Sequence, residues 1–428
     1  MAEIIQAVRG MNDILPEETP IWQHAEFIMR RVLQGYGYQE IRTPIVEKTD
    51  LFKRSIGDVT DIVEKEMYSF LDRNQENLSL RPEGTACCVR AGIEHGLLYN
   101  QIQRLWYIGP YFRHERPQKG RYRQFYQCSA EVFGLPGPDI DAELIMLSAT
   151  ILEKLGLKSL VTLQLNSLGT AESRSEYRKR LVHYLNENKD QLDEDSLRRL
   201  HKNPLRVLDS KNPDLKELIA HAPKLIEHLD AESLMHFETL QQYLTHAGIA
   251  FELNPCLVRG LDYYTKTVFE WVTDKLGAQG TLCAGGRYDS LVEQLGGKPT
   301  PAIGFSVGME RTILLMQQSP RNPKVESGVH AYFIMDDPSA FPAAMKIANY
   351  LRSKVPGLRL MLHCGGGNLK SQFKKADKSG AQYAIIIGEH ELKTRSISLK
   401  NLRENLPQQN LYQDELAEYL KLKITKKI

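Results

Sequence analysis

The chain has 428 residues, of which 42% are hydrophobic and 25% charged, with a net charge of +2. At roughly 150 residues per domain this length calls for two or three domains, and the composition is that of an ordinary globular protein rather than a disordered or fibrous one. The longest apolar runs, such as Ala384 to Ile387, fall far short of the roughly 20 residues that span a bilayer, so neither a membrane helix nor a membrane partner is expected.

The N-terminal run MAEIIQAVRGMND has neither the apolar core of a secretory signal nor the Arg-rich character of a transit peptide, which makes the cytoplasm the expected location. Residues 1–169 and 248–316 are rich in Gly, aromatics and alternating runs such as RLWYIGPYF and TKTVFEWV, and read as strands with intervening helices. RPEGT, Arg81 to Thr85, opens a predicted helix that runs on through ACCVRAGIEH. The stretch LWYIGPYFRHERPQKGRYRQFYQCSAEVFG predicts an antiparallel hairpin with a long basic loop around Gly120. Alternation of strand side chains would put Arg113 and Glu115 on one face of the first strand, and Phe125, Gln127, Ser129 and Glu131 on one face of the second. So many charged and amide groups on one surface suit a ligand better than a core; a solvated sheet face is the other account.

Residues 170–247 contain no glycine and show helical spacing, as in RSEYRKRLVHYLNENK and ESLMHFETLQQYLTHAG, which marks a helical insertion in the β-rich body. A polar segment with two prolines, QQSPRNPKVESG, suggests a linker at 317–327. From 328 to 428 strand-like HAYFIM, LRLMLH and QYAIIIG alternate with helix-like AAMKIANYLRSK and NLKSQFKKADKSG, the rhythm of a small α/β domain with a parallel sheet. This tail carries 16 Lys and Arg against 9 Asp and Glu, with 39 against 44 before it, so a basic module follows a mildly acidic body. A solvated surface or a polyanionic partner explains that excess. Six cysteines form no CxxC pair or Cys/His cluster, and they read as reduced, mostly buried thiols rather than a zinc site or disulfide framework.

Three strings in order resemble the signature motifs of class II aminoacyl-tRNA synthetases: YGYQEIRTPIVE (36–47) is similar to motif 1, a helix and strand ending at Pro44 that forms the dimer interface; FRHE (112–115) to motif 2; and GFSVGMER (304–311) to motif 3. LVRGLDYYTKTVFE (257–270) and AGGRYDSLV (284–292) resemble the two signature segments of the histidyl branch. The resemblance covers nearly the whole chain. It implies an α+β fold with an antiparallel catalytic sheet over 1–169 and 248–316, the helical insertion, and an α/β anticodon-binding domain at 328–428. It also implies a histidine–tRNA ligase that forms histidyl-adenylate from ATP and passes histidine to the 3′ end of its tRNA.

The resemblance assigns roles residue by residue. Arg113 would hold the α-phosphate, and Arg311 and Phe125 would sandwich the adenine, with Glu115 at its edge and Arg121 on the γ-phosphate. Forked, permanently charged guanidinium groups suit a polyphosphate. Glu83, Thr85 and Gln127 would take the α-amino group of histidine, and Glu131, Tyr264 and Tyr263 the imidazole; Thr85 also reads as a helix cap and Tyr263 as packing. Arg259 would be catalytic, stabilising charge on the α-phosphate as the carboxylate attacks. Arg116, Gln118, Lys119 and Arg123 of the hairpin loop would meet the tRNA acceptor end. Mg²⁺ is expected with ATP, its ligands unknown, and no organic cofactor; the assembly would be a homodimer. A non-catalytic regulatory paralogue would lack the tail and lose ATP-site residues, a class II synthetase for another amino acid would lack the two histidyl segments, and a pure RNA-binding protein would not consume ATP.

Overall fold

The computed structural model describes residues 3–425 except 58–59, 61, 209, 211, 262, 278–279 and 321–327. The chain divides into two compact units, Met1–Lys324 and Val325–Ile428. Most of the expected linker at 317–327 lies outside the described residues; its first part, to Gln318, closes the helix Met309–Gln318.

Among the described residues, the first unit is organised on an eight-stranded sheet. In chain order its strands are β1 (Gln39–Glu40), β2 (Gln103–Phe112), β3 (Gln124–Phe133), β4 (Thr162–Ser167), β5 (Glu252–Leu253), β6 (Thr265–Val272), β7 (Thr281–Arg287) and β8 (Ala302–Gly308). Their spatial order is β1-β2-β3-β8-β7-β6-β4-β5. The six central strands are antiparallel, and the short edge strands β1 and β5 pair in parallel.

Residue alternation divides the sheet into two faces with different fates. Even-numbered Trp106 of β2 and Cys128, Ala130 and Val132 of β3, with Ile303, Phe305 and Val307 of β8, enter one apolar core. Helices Thr19–Gly35, Pro138–Lys154, Ala231–His246 and Met309–Gln318 cover that face, contributing Met29, Leu33, Leu144, Ile151, Leu240 and Leu315 among others. The opposite face presents Tyr107, Tyr111, Phe125, Gln127, Ser129 and Glu131, and this is the face that carries the site. Burying both faces explains why the two long strands are dense in aromatic and apolar residues rather than cleanly alternating.

The glycine-free stretch is helical, but not a single body. Its last helix, Ala231–His246, packs on Pro138–Lys154 in the main core, whereas Ala171–Glu187 and the short helices after it bring Tyr177, Leu181, Leu200, Val207 and Leu215 into a second core shared with Tyr107, Tyr111, Tyr263 and Tyr264. The ends of the excursion are tied together. Thr170 caps the first helix by accepting from the Ser173 amide at 3.3 Å, Asp230 caps the last through the Ser233 amide at 2.8 Å, and Thr170 Oγ1 donates to Asp230 at 3.1 Å.

A buried ion network fastens β7 to the helices behind the sheet. Arg287, fully buried, donates to Asp141 at 2.8 Å, to Asp289 at 2.8 Å and to the carbonyls of Leu135 and Gly137, while Asp141 also meets His236 at 2.8 Å. No polar atom of that guanidinium is left to desolvation without a partner, which is the condition for keeping a charge inside a core.

The second unit, among its described residues, has a five-stranded sheet in the order β10-β9-β11-β12-β13, where β9 is Ala331–Met335, β10 Leu360–Leu362, β11 Tyr383–Ile387, β12 Ile397–Asn401 and β13 Gln409–Leu411. The expected parallel sheet is only half of it. β9 pairs in parallel with β10 and β11, but β12 and β13 are antiparallel additions. A parallel crossover needs a dozen or more residues. Residues 388–396 hold only the short helix Glu389–Thr394 and a reversal at Arg395, whose φ is +54°, so the chain returns antiparallel.

Candidate active site

The open face of the sheet holds a cavity of about 280 Å³ floored by β3, β6, β7 and β8. Four arginines line it, and three of them, Arg113 and Arg121 from the hairpin and Arg311 from the far end of the unit, meet around one end. Arg113 follows the end of β2, and its Nε donates to the Pro82 carbonyl at 2.9 Å, tying motif 2 to RPEGT; its guanidinium lies 5.3 Å from the centre of the Phe125 ring. Arg311, on the first turn of Met309–Gln318, donates to the carbonyls of Gly120 at 3.0 Å and Thr281 at 2.7 Å. Arg121, on the hairpin loop, is paired with Glu115 and lies 3.9 Å from Glu66. The loop turns at Gly120, whose φ is +74°, beside a small bridge between Gln118 and Arg121.

Burial pushes the pKa of all three guanidinium groups down, and for Arg311 the charges of Arg121 and Arg113 push the same way. Like charges held together and partly out of water form a site primed for a polyanion. Arg259 enters from the segment before β6. It is ion-paired with Glu270 and lies 5.5 Å from the centre of the Tyr264 ring, while Glu270 also accepts from Thr281 Oγ1 at 2.9 Å.

Next to these arginines a second group surrounds Glu131, which is 1% exposed. Thr85 Oγ1 donates to its Oε1 at 2.9 Å and Tyr107 at 2.6 Å, and the Tyr288 hydroxyl donates to Oε2. Burial raises its pKa to about 7 against the pull of the three hydroxyls, with the Glu83 charge adding to the rise. A glycine at 304 is required here, because a Cβ on that residue would lie 1.6 Å from Glu131 Oε2. Glu83 accepts from the backbone amides of Thr85 at 2.6 Å and Ala86 at 2.9 Å, the free donors at the start of helix Thr85–Glu94; burial raises its pKa, opposed by those amides and by Arg113. Tyr263 and Tyr264 are buried with ring centres 4.7 Å apart, and Tyr263 meets Tyr288 edge to face at 5.7 Å.

The expected residues are therefore brought to one face, with two differences. β2 ends at Phe112, so Arg113 and Glu115 do not share a strand face; they stay together because the Glu115 amide donates to the Arg113 carbonyl at 2.8 Å and their side chains lie 4.0 Å apart. Of the loop residues, Arg116, Gln118 and Lys119 are exposed, whereas Arg123 is half-buried, its Nε donating to the Glu115 carbonyl at 3.2 Å and its amide to Gly10 at 2.7 Å. Sequence reasoning missed Glu270, Tyr107, Tyr288 and Glu310. Glu310 lines the cavity, accepts the Tyr126 amide at 2.9 and 3.1 Å, and has its pKa raised to about 7 by burial despite those bonds. All four lie inside or beside strings singled out for other residues, but only the tertiary pairings show what they hold.

An antiparallel sheet with hairpin and helix arginines converging on one face is the arrangement that the resemblance to class II aminoacyl-tRNA synthetases implies. A family model for histidyl-tRNA synthetase matches residues 10–312, and one for an anticodon binding domain matches residues 329–423. The chain belongs to the histidyl-tRNA synthetase family. It is similar to the crystal structure of apo histidyl-tRNA synthetase from S. aureus, with 35% identity, a TM-score of 0.81, and coverage of 98% of this chain and 100% of that one. The histidyl-tRNA synthetase of Nostoc sp. PCC 7120 shares the fold at 21% identity and a TM-score of 0.70, covering 98% of this chain and 100% of that one. So does a Bacillus halodurans protein described as an ATP phosphoribosyltransferase regulatory subunit/histidyl-tRNA synthetase, at 22% identity and a TM-score of 0.63, covering 91% and 99%. The activity is that of a histidine–tRNA ligase, an aminoacyl-tRNA ligase with a tRNA-binding C-terminal domain. Among the described residues no helix is long and apolar enough to cross a membrane.

Proposed function

We propose that the two neighbouring groups divide the adenylation step between them, the arginine cavity taking ATP and the Glu131 enclosure reading histidine. The observation that carries this reading is the convergence of Arg113, Arg121 and Arg311, with their charges crowded and half-desolvated, beside a caged carboxylate. Arg113 binds the α-phosphate, Arg121 the γ-phosphate, and Arg311 and Phe125 the two faces of the adenine, with Glu115 at its edge. Glu83, Thr85 and Gln127 bind the α-amino group, and Glu131, Tyr263 and Tyr264 form the imidazole pocket. Arg259, poised by Glu270, stabilises the α-phosphate oxygens as a histidine carboxylate oxygen bonds to phosphorus and the bond to pyrophosphate breaks. The terminal ribose hydroxyl of the tRNA then attacks the acyl carbonyl and AMP leaves.

The carboxylates lining the ATP cavity are Glu115, Glu270 and Glu310, and each already has a partner. Among the described residues no group of three or more His, Cys, Asp or Glu could hold a metal ion. Mg²⁺ keeps most of its waters, so it would be held by the ATP phosphates with one or two of these carboxylates, and it would neutralise charge on the departing pyrophosphate. Arg116, Gln118 and Lys119 are exposed for the tRNA acceptor end; Arg123 braces the loop behind them. The catalytic body is 1–169 with 248–318, 170–247 is its insertion, 319–327 a linker, and 328–428 the anticodon-binding domain. The protein works in the cytoplasm as a homodimer through the motif 1 segment and the helix before it, where Ile45 and Val46 of the segment and Phe27 of the helix are exposed apolar residues. ATP–pyrophosphate exchange across all twenty amino acids tests the reading: exchange with histidine alone supports it, and exchange with another amino acid, or none, overturns it.

A further inference from the structure

A second cavity of about 360 Å³ opens from the ATP cavity at Arg113, Glu115 and Arg121, which line both. Its far wall comes from the helical insertion, as Arg198, Arg199, Asn203 and Arg206. Among the described residues, five arginines face three glutamates in its lining, and no aromatic side chain is among them. Arg206 sits on the tight turn Pro204–Val207, which is anchored by the buried side chains of Pro204, Val207 and Leu208. Its head lies against Gly260, where a Cβ would be 3.1 Å from Nη1, so it packs on the backbone next to Arg259. Arg198 and Arg199 are held by Asp195 at 2.9 and 3.3 Å. The Arg206 charge is one of those that push the Arg121 pKa down, after burial and against the pull of Glu66.

Cations without an aromatic platform suit an inorganic polyphosphate and not a nucleobase, which would call for stacking. We propose that this second cavity receives the pyrophosphate released in histidine activation, with Arg206 of the helical insertion as its ligand, flanked by Arg198 and Arg199. The inference rests on the assignment of ATP phosphates to Arg113 and Arg121. As the bond between the α-phosphorus and the bridging oxygen breaks, its electron pair stays on pyrophosphate, and cations beyond Arg121 meet the charge that develops there. The insertion thereby takes part in the first chemical step.

The test uses the full chain with Arg206→Ala, Arg206→Lys and Arg198→Glu, measuring the KM for pyrophosphate in the exchange reaction beside those for ATP, histidine and tRNA. Arg206→Ala is expected to raise the pyrophosphate KM about tenfold or more, the loss of one charge-assisted hydrogen bond, with the histidine KM nearly unchanged and Arg206→Lys in between. Arg198→Glu changes an exposed side chain that the fold tolerates, and is expected to raise the same KM several-fold even where Arg206→Ala folds poorly. An unchanged pyrophosphate KM in both charge-removing variants overturns the proposal, and a raised KM for tRNA alone assigns the cavity to the RNA end. The underlying assignment fails separately, through Arg113→Ala leaving the ATP KM unchanged.

Discussion

Replacing Glu131 with Gln preserves the volume of a side chain that is 1% exposed and removes its charge, and the structure gives the change two opposite effects. Burial lifts this carboxyl from 4.5 to about 7, against the hydroxyls of Tyr107, Tyr288 and Thr85. A folded pKa above the unfolded one means the folded chain binds the proton more tightly. The stability this group contributes is therefore full below about 4.5 and is lost as pH rises through about 7. A rise of that size corresponds to about 3 kcal/mol. Gln carries no such penalty, so the variant should be the more stable protein at pH 8 by about 3 kcal/mol, falling to about a quarter of that at pH 5. Function should move the other way. Loss of a charge-assisted contact to the imidazole, about 1.5–3 kcal/mol, lowers kcat/KM for histidine roughly 10- to 100-fold and narrows the margin over other amino acids. The parent's rise in kcat/KM through about pH 7 should flatten, while the ATP KM stays near normal because Glu131 does not line the ATP cavity. Thermal melts of both proteins from pH 5 to 8 and exchange kinetics over the same range measure this. A stability difference that does not grow with pH, or unaltered histidine kinetics, would refute the reasoning.

Arg259→His should lower the adenylation rate by about 10² to 10³ with little change in histidine KM, read by single-turnover adenylate formation; equal rates in a folded variant would remove Arg259 from the chemistry. Gly304→Ala drives a methyl into Glu131 Oε2 and should abolish histidine binding while ATP still binds, which equilibrium titration of each substrate separates. Arg287→Met leaves Asp141 buried without its cation and should cost about 3–5 kcal/mol in denaturant unfolding, much of it recovered by also replacing Asp141 with Leu. A chain ending at Gln318 retains the whole cavity and should keep pyrophosphate exchange while charging of tRNA falls sharply; loss of exchange in a folded product would show that the second unit supports the site.

What was legible in the sequence were features written in local spacing. The hairpin around Gly120, the helix after RPEGT, the glycine-free helical stretch and the change of rhythm near 328 each depend on neighbours within a few residues, where periodicity and turn chemistry act. The arginines of motifs 2 and 3 were equally plain, because their strings are contiguous. The antiparallel β12 and β13 were not, since ISLKN and QNL carry too few residues to show a period, and their direction was decided by the short reversal at Arg395.

The composition of a charge's surroundings is not written locally at all. Nothing in WYIGPYF or GGRYDS says that Tyr107 and Tyr288 donate to one carboxylate from opposite sides, nor that Gly304 is glycine to leave that carboxylate room. Arg206 belongs to an unremarkable polar stretch until the insertion folds back and sets it against Gly260. The sequence by itself determined most of the strands and helices and supplied the side chains on which the proposed chemistry rests. The tertiary structure alone decided their protonation, their partners and the second cavity, because electrostatic energies depend on distances and desolvation created between residues far apart in the chain.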